Sequence, residues 1–84
     1  MNNETIHLII RSKENVLYDA DVRSVSGINA NGPFDVLPEH ANFICIVEKY
    51  IVIHEINGKT HQLKIEAGIL HVHEGAVSVF LTNR

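Results

Sequence analysis

The chain has few of the residues that mark specialised protein classes. Its 84 residues include one cysteine, two prolines and no tryptophan. A single cysteine excludes a disulfide framework and is typical of a reducing compartment. Lysine and arginine number seven against ten aspartates and glutamates, so no basic excess predicts nucleic-acid binding. The longest apolar runs are well below the ~20 residues that a membrane-spanning helix needs.

The N-terminus also lacks the features of a secretory signal. Residues 1–5 have neither the basic start nor the apolar stretch of a signal peptide. We therefore expect a cytosolic or cytosol-facing protein. The composition, 45% hydrophobic and 20% charged, is that of an ordinary globular domain. The length predicts a single domain, spanning 1–84, with a thin core.

Turn-forming residues recur at short intervals, and the runs between them are rich in isoleucine and valine. No window carries a long apolar stripe at helical period. This pattern favours an all-β sandwich or barrel. The predicted strands are 6–11, 16–20, 22–28, 34–37, 43–47, 50–56, 59–66, 69–73 and 76–81.

The Glu74-Gly75 dipeptide predicts how the last two strands face each other. A two-residue turn there pairs His73 with Ala76. Alternation then divides the neighbouring residues between a core face and an opposite face. The core set is Leu70, Val72, Val77, Val79 and Leu81, and the opposite set is Ile69, His71, His73, Ser78 and Phe80.

Apolar residues also predict where the chain meets other surfaces. Segment 43–47 is apolar on both faces, which predicts a strand covered on both sides, with Cys45 as a small buried hydrophobe. We expect further apolar surface on the isolated chain, including Ile51, Ile53 and Phe80. Such surface would drive self-association.

Six histidines form a conspicuous titratable group. The Asn57-Gly58 dipeptide is typical of a type I′ turn, which would pair His54 with His61 at a Cβ separation of about 5 Å. Two imidazoles on one face can bind zinc or copper, although a catalytic zinc needs three protein ligands and no third ligand is evident. A small metal-binding β domain using His54 and His61 is therefore an alternative interpretation.

Motifs of catalysis are missing from the sequence. There is no Gly-x-Ser-x-Gly motif, no His-Glu-x-x-His motif and no glycine-rich phosphate loop opening a helix. From the residues alone an enzyme is possible but no catalytic machinery is visible, and they indicate a small β domain that binds another molecule. We expect no cofactor.

Three segments in order resemble the epsilon subunit of F-type rotary ATP synthases. Segment 12–25 is similar to the family's Ser-Pro-Glu, Leu-Tyr and Val-x-x-Val opening. Segment 32–43 resembles its Ile-Leu-Pro-Gly-His-Ala loop, with Leu37, Pro38, His40 and Ala41 matching. Segment 67–79 is similar to its Gly-Gly-Ile-Leu-Glu-Val close. Together they cover nearly the whole chain.

The resemblance implies a small all-β sandwich of about ten short strands in two sheets. It also implies a non-catalytic rotor subunit of the central stalk, which binds the gamma subunit and the c-ring and couples proton-driven rotation to ATP synthesis. Such a subunit is peripheral, at the cytoplasmic face of the energy-coupling membrane in bacteria. The contact residues that the resemblance implies are Gly32, Pro33, Phe34, Leu37, Pro38, His40 and Ala41.

The chain departs from the family pattern at several positions. Pro33 replaces the acidic residue associated with the c-ring contact, Asp35 replaces a glycine, and Glu39 replaces the small residue before the loop histidine. The helical C-terminal hairpin of the family is absent, which is expected of a naturally short member or of a chain cut at the domain border. We therefore expect no nucleotide binding. A stand-alone sandwich with another binding role is the remaining alternative.

Overall fold

The computed structural model describes residues 5–39 and 41–82. Seven strands form one sheet: β1 (Ile6–Arg11), β2 (Val16–Val22), β3 (Ser24–Asn29), β4 (Gly32–Val36), β5 (Phe43–His54), β6 (Thr60–His73) and β7 (Ala76–Leu81). The strand order is β2-β1-β7-β6-β5-β3-β4. Neighbours are antiparallel except β1 and β7, which are parallel. Residues 5–39 and 41–82 contain no candidate membrane-spanning helix.

The all-β class is confirmed, but the strands are fewer and longer than predicted. Segments 43–47 and 50–56 join as β5, and segments 59–66 and 69–73 join as β6. The register of this pair shifts between Glu48 and Tyr50, where Lys49 has a φ of 75°. A β-bulge of this kind bends and twists a pair of strands without ending them. The predicted breaks therefore mark a bend in two long strands.

The bend divides the sheet into two parts that share one core. The β7 half consists of β2, β1, β7, residues 43–48 of β5 and residues 67–73 of β6. The β3 half consists of β3, β4, residues 50–54 of β5 and residues 60–64 of β6. One buried cluster draws on both halves, so their inward faces pack against each other as in a sandwich. Its members are Ile6, Leu8, Ile10, Val22, Val25, Val36, Val47, Ile51, Ile53, Leu70, Val72, Val77 and Val79.

The core prediction for the last two strands is confirmed. Leu70, Val72, Val77 and Val79 are all at most 2% exposed, and Leu81 packs against them half-buried. The prediction that Ile51 and Ile53 lie at the surface is wrong, since both belong to the core. The inward faces of the two halves meet there, which sequence alternation within one strand does not reveal.

The predicted turn at Glu74-Gly75 is confirmed. Both residues have positive φ, 48° and 83°, and His73 pairs with Ala76. Positive φ at both central residues is the geometry of a type I′ turn. Glutamate accepts this left-handed conformation at an energetic cost, because it has a Cβ.

The predicted turn at Asn57-Gly58 is wrong. The Glu55 backbone N–H donates to the Lys59 carbonyl at 2.8 Å, and the Gly58 N–H donates to the Glu55 carbonyl at 3.0 Å. Gly58 has a φ of 92°, whereas Asn57 does not have a positive φ. These contacts define a three-residue loop closed by a glycine bulge. The hairpin register therefore differs by one residue from the prediction.

Candidate partner-binding surface

On β5, β6 and β7 the outward side of the β7 half carries four large, exposed apolar side chains. Ile46 pairs with Ile69, and Ile69 pairs with Phe80, so the three form a row across β5, β6 and β7. Ile44 lies on the same face, two residues before Ile46. The exposed fractions are 64% for Ile44, 67% for Ile46, 43% for Ile69 and 42% for Phe80. We name these four side chains the apolar outer face.

The prediction that segment 43–47 is covered on both sides is wrong for the chain alone. Phe43, Cys45 and Val47 face the core, and only Val47 is fully buried. Ile44 and Ile46 face solvent. Contiguous exposed apolar side chains of this kind mark interaction surfaces. Within the chain Ile44 and Ile46 stay exposed, so only another molecule could cover them.

Two histidines lie on the same side as the apolar outer face. His71 sits in a row between Ile44 of β5 and Ser78 of β7. The rings of His71 and His73 are 5.8 Å apart between centroids and tilted by 46°. His73 Nε2 is 3.8 Å from Glu74 Oε1, and both side chains are mostly exposed. The surface is thus apolar at its centre and carries two imidazole rings along β6.

At the edge of this surface His7 lies between two carboxylates. Its Nδ1 is 2.7 Å from Asp21 Oδ1, and its Nε2 is 2.8 Å from Asp19 Oδ1. Ionised carboxylates only accept hydrogen bonds, so both hydrogen bonds form together only when both ring nitrogens carry a proton, as in the imidazolium. The hydrogen bond to Asp21 raises the pKa of His7 above its usual value, burial partly opposes this, and Asp19 adds to the increase. Sequence reasoning missed this cluster. The available signal is that Asp19 and Asp21, two residues apart, share one face of β2, and Asp21 pairs with His7.

The outward side of the β3 half is built differently. The Ser26 hydroxyl donates to Asp35 Oδ1 at 2.6 Å, and His54 Nε2 lies 2.9 Å from Ser26 Oγ. Because the single hydroxyl proton goes to Asp35, the His54 ring nitrogen donates to Ser26. The three polar side chains satisfy one another across β4, β3 and β5. This order leaves Ser26 without a base, so the cluster is not a nucleophilic triad.

The proposed pairing of His54 with His61 is wrong. His54 pairs with Thr60, and His61 pairs with Ile53, which puts the two imidazoles on opposite faces of the sheet. The His61 ring instead lies 6.3 Å from the Tyr18 ring. Within residues 5–39 and 41–82, no three histidine, cysteine or acidic side chains are grouped so that they could hold a metal ion.

Three of the contact residues implied by the resemblance lie in β4, at one edge of the sheet. Gly32 has a φ of 115°, and Pro33 is exposed opposite Ile28. Phe34 is half-buried, and its ring lies against Gly27. The same ring is edge-on to that of Phe43, with 6.2 Å between the ring centroids. Phe34 therefore packs against the shared core, between the two halves.

The other implied contact residues follow β4. Leu37 is 56% exposed, Pro38 is half-buried and Ala41 is exposed. His40 lies outside the described residues. Glu39 has a φ of 71°, a left-handed conformation at the position where the family has a glycine.

The connection between β4 and β5 meets the β6–β7 turn. The Glu74 backbone N–H donates to Asn42 Oδ1 at 2.9 Å. The His7 N–H donates to the Gly75 carbonyl at 3.1 Å, so the start of β1 lies at the same end of the domain. One end of the sandwich therefore gathers this connection, a tight turn and a strand start.

Comparison with known sequences gives one consistent family. A family model described as the ATP synthase delta/epsilon chain beta-sandwich domain matches residues 5–83. The ATP synthase epsilon chains of Nitratiruptor sp. and Sulfurovum sp. are 28% and 32% identical over 79 and 72 residues. These matches cover 93% and 84% of this chain but 61% and 56% of the relatives. The chain thus spans about three-fifths of the length of these curated relatives.

Solved structures share the fold. A chain of the Euglena gracilis mitochondrial ATP synthase, in an OSCP/F1/c-ring assembly, matches with a TM-score of 0.87 at 20% identity, covering 93% of this chain and 51% of that one. A chain of the Tetrahymena thermophila mitochondrial ATP synthase central stalk and c-ring matches with a TM-score of 0.74 at 9% identity, covering 99% and 67%. With the family match over 5–83, the chain belongs to the ATP synthase delta/epsilon chain family and comprises its β-sandwich domain.

Proposed function

We propose that this chain is a rotor subunit of the central stalk of an ATP synthase. In this proposal it binds the gamma subunit and the c-ring, has no catalytic role, and helps to couple proton-driven rotation to ATP synthesis. It acts as a single domain, 1–84, at the cytoplasmic face of the energy-coupling membrane. The observation that carries the proposal is the apolar outer face, on a domain whose relatives are ATP synthase epsilon chains.

The apolar outer face has the chemistry of an interface core. Such cores are apolar and poor in charged residues, with a polar rim. The row of Ile46, Ile69 and Phe80 is uncharged. Arg11 of β1 pairs with Phe80 and lies beside this end of the row. Fully burying one isoleucine or phenylalanine side chain contributes about 1.5–3 kcal/mol. Several such side chains can offset the entropic cost of association.

The framework behind the surface suits a subunit that transmits force. β5 has 12 residues and β6 has 14, and the pair runs through both halves of the sheet. A force applied to one half therefore reaches the other through two strands that run across the bulge and through a shared core. Closely packed interiors transmit strain with little compression.

We assign the c-ring contact to the connection between β4 and β5. Leu37 and Ala41 are exposed there, and Asn42 ties the connection to the β6–β7 turn. His40 belongs to this proposed contact by its place in the sequence. Pro33 in β4 supplies no carboxylate, whereas the connection itself carries the exposed side chain of Glu39.

The test is co-elution with the gamma subunit from the same genome during size exclusion at physiological salt. We expect a one-to-one complex that Ile46→Lys abolishes, because the substitution puts a charge in the middle of the apolar row. Gln62→Lys is the matched control. It adds the same residue at an exposed position on the outward side of the β3 half, and it should leave the complex intact.

Two results would count against the proposal. Failure to form a complex, with both proteins folded by circular dichroism, would favour a stand-alone sandwich with another binding role. A complex that Gln62→Lys disrupts and Ile46→Lys does not would move the gamma contact to the β3 half.

A further inference from the structure

We propose that protonation of His71 and His73 opposes docking on the apolar outer face, so that the complex weakens at acid pH. This inference rests on the proposed docking of the gamma subunit and concerns the regulation of that same surface. Its basis is the position of the two imidazoles among the apolar side chains.

A partner that covers the apolar outer face cannot avoid His71. The residue pairs with Ile44 across β5 and lies two residues after Ile69 on β6. A surface that buries both isoleucines therefore buries the imidazole between them. A neutral imidazole enters an interface with one donor and one acceptor to satisfy, whereas an imidazolium has two donors and must also lose the hydration of its charge.

The residues that face His71 offer no compensating charge. β5 presents Ile44 and Ile46 on this side, and β7 presents Ser78 and Phe80. None of these four side chains ionises near neutral pH. A proton gained by His71 in the complex is therefore not neutralised by its neighbours among the described residues.

His73 has one nearby carboxylate and a second histidine. Glu74 Oε1 lies 3.8 Å from His73 Nε2, and its side chain is 76% exposed, so solvent screens the pair. His71 is close on the other side, with 5.8 Å between the ring centroids. Two imidazolium groups at this separation repel each other, and exclusion of water by a partner strengthens the repulsion.

The remaining charged groups on this side are Glu48, two residues after Ile46 on β5, and groups on β1 and β2. His7 pairs with Ala76, and its charge is matched by Asp19 and Asp21. The hydrogen bonds to Asp21 and Asp19 raise the pKa of His7, so this residue takes up its proton at a higher pH than an ordinary histidine. Arg11 pairs with Phe80 and keeps its charge throughout. The pH dependence therefore falls to His71 and His73.

The experiment measures the Kd for the gamma subunit of the same genome at about pH 8 and about pH 5.5, at constant ionic strength. Imidazoles are mostly neutral at the first pH and mostly protonated at the second. If docking excludes both protons, linkage weakens binding by on the order of 10-fold to 100-fold. The double variant His71→Asn, His73→Asn should bind nearly equally at both values.

His7→Gln is the matched control, because it removes a histidine from the same side of the sheet and should keep the pH dependence. Circular dichroism at both pH values establishes that each variant is folded. Equal binding by the unmodified chain at the two pH values, or a pH dependence that the double variant retains, overturns the inference and leaves the proposed function standing. Lack of binding at about pH 8 overturns both.

Discussion

The two halves of the sheet share one core but present different chemistry to solvent. The β7 half exposes Ile44, Ile46, Ile69 and Phe80. The β3 half exposes a polar surface in which Ser26 is hydrogen-bonded to Asp35 and His54. Polar groups that satisfy one another need no partner, whereas exposed apolar side chains gain free energy when covered. The comparison shows that the same fold separates an exposed apolar side from a side whose polar groups satisfy one another.

Neighbouring residues of β6 give the largest expected contrast. Leu70 is 0% exposed, so Leu70→Ala should lower the free energy of unfolding by about 2–5 kcal/mol. Ile69 is 43% exposed, and Ile69→Ala should cost less than about 1 kcal/mol. Urea denaturation measures both. Equal losses would mean that the apolar outer face is buried within the chain and is not a free surface.

One glycine in each half gives the next contrast. A Cβ on Gly68 would lie 3.0 Å from the Phe80 carbonyl oxygen, which is backbone. A Cβ on Gly27 would lie 3.3 Å from the Phe34 ring, which can shift slightly. We expect Gly68→Ala to cost about 1–3 kcal/mol and Gly27→Ala to cost less, measured by denaturant unfolding. The reverse order would show that the β3 half is the more tightly packed.

The polar cluster of the β3 half should contribute modestly to stability. Ser26→Ala removes two hydrogen bonds and leaves Asp35 and His54 without this partner, at an expected cost of about 1 kcal/mol. Ser78→Ala, at an exposed position in the β7 half, is the control and should be nearly neutral. Thermal unfolding of the two variants tests this. If Ser26→Ala leaves the thermal stability unchanged, water satisfies Asp35 and His54 as well as the Ser26 hydroxyl does.

The tight turn of the β7 half carries strain that substitution can relieve. Glu74→Asn should raise the free energy of unfolding by about 0.5 kcal/mol, because asparagine accepts positive φ more readily. Glu66→Asn, at an exposed strand position, should bring no gain. A stabilising effect of both variants in denaturant unfolding would point to net charge as the cause instead of backbone strain.

The smallest expected effect concerns His7 at the edge of the β7 half. Its raised pKa, caused mainly by Asp21, means that its contribution to stability is fully present below about pH 6.5, the usual pKa of histidine. The contribution is lost as the pH rises through the raised pKa. NMR titration of the imidazole should show the increase, and Asp21→Asn should reduce it. An unchanged titration in that variant would contradict the assigned cause.

The two hairpin turns show what local sequence can predict. Glu74-Gly75 forms the predicted two-residue turn, with type I′ geometry, although glutamate is a poor residue for it. Asn57-Gly58 is the stronger local signal and forms a three-residue loop instead. Both loop types fit an Asn-Gly pair, so the pairing of the long strands on either side chooses between them. Because the observed register differs from the predicted one by one residue, His54 and His61 do not pair.

The surface was harder to predict than the core. Alternation placed Leu70, Val72, Val77 and Val79 correctly because a half-buried strand has one apolar face. The same rule failed for segment 43–47, where both faces are apolar and only one is covered by the chain. The His7 cluster needed the register of β1 against β2, which a bulge between Ile10 and Arg11 alters.

By itself the sequence determined the all-β class, most strand positions and the family, since these follow from alternation, turn residues and ordered motifs along the chain. Only the tertiary structure decided that two predicted breaks are one bend in a continuous sheet. It also decided which apolar residues face solvent, placing Ile51 in the core and Ile46 outside. The physical reason is that burial depends on which strands pack together across the core. The periodicity within one strand carries no information about which strands these are.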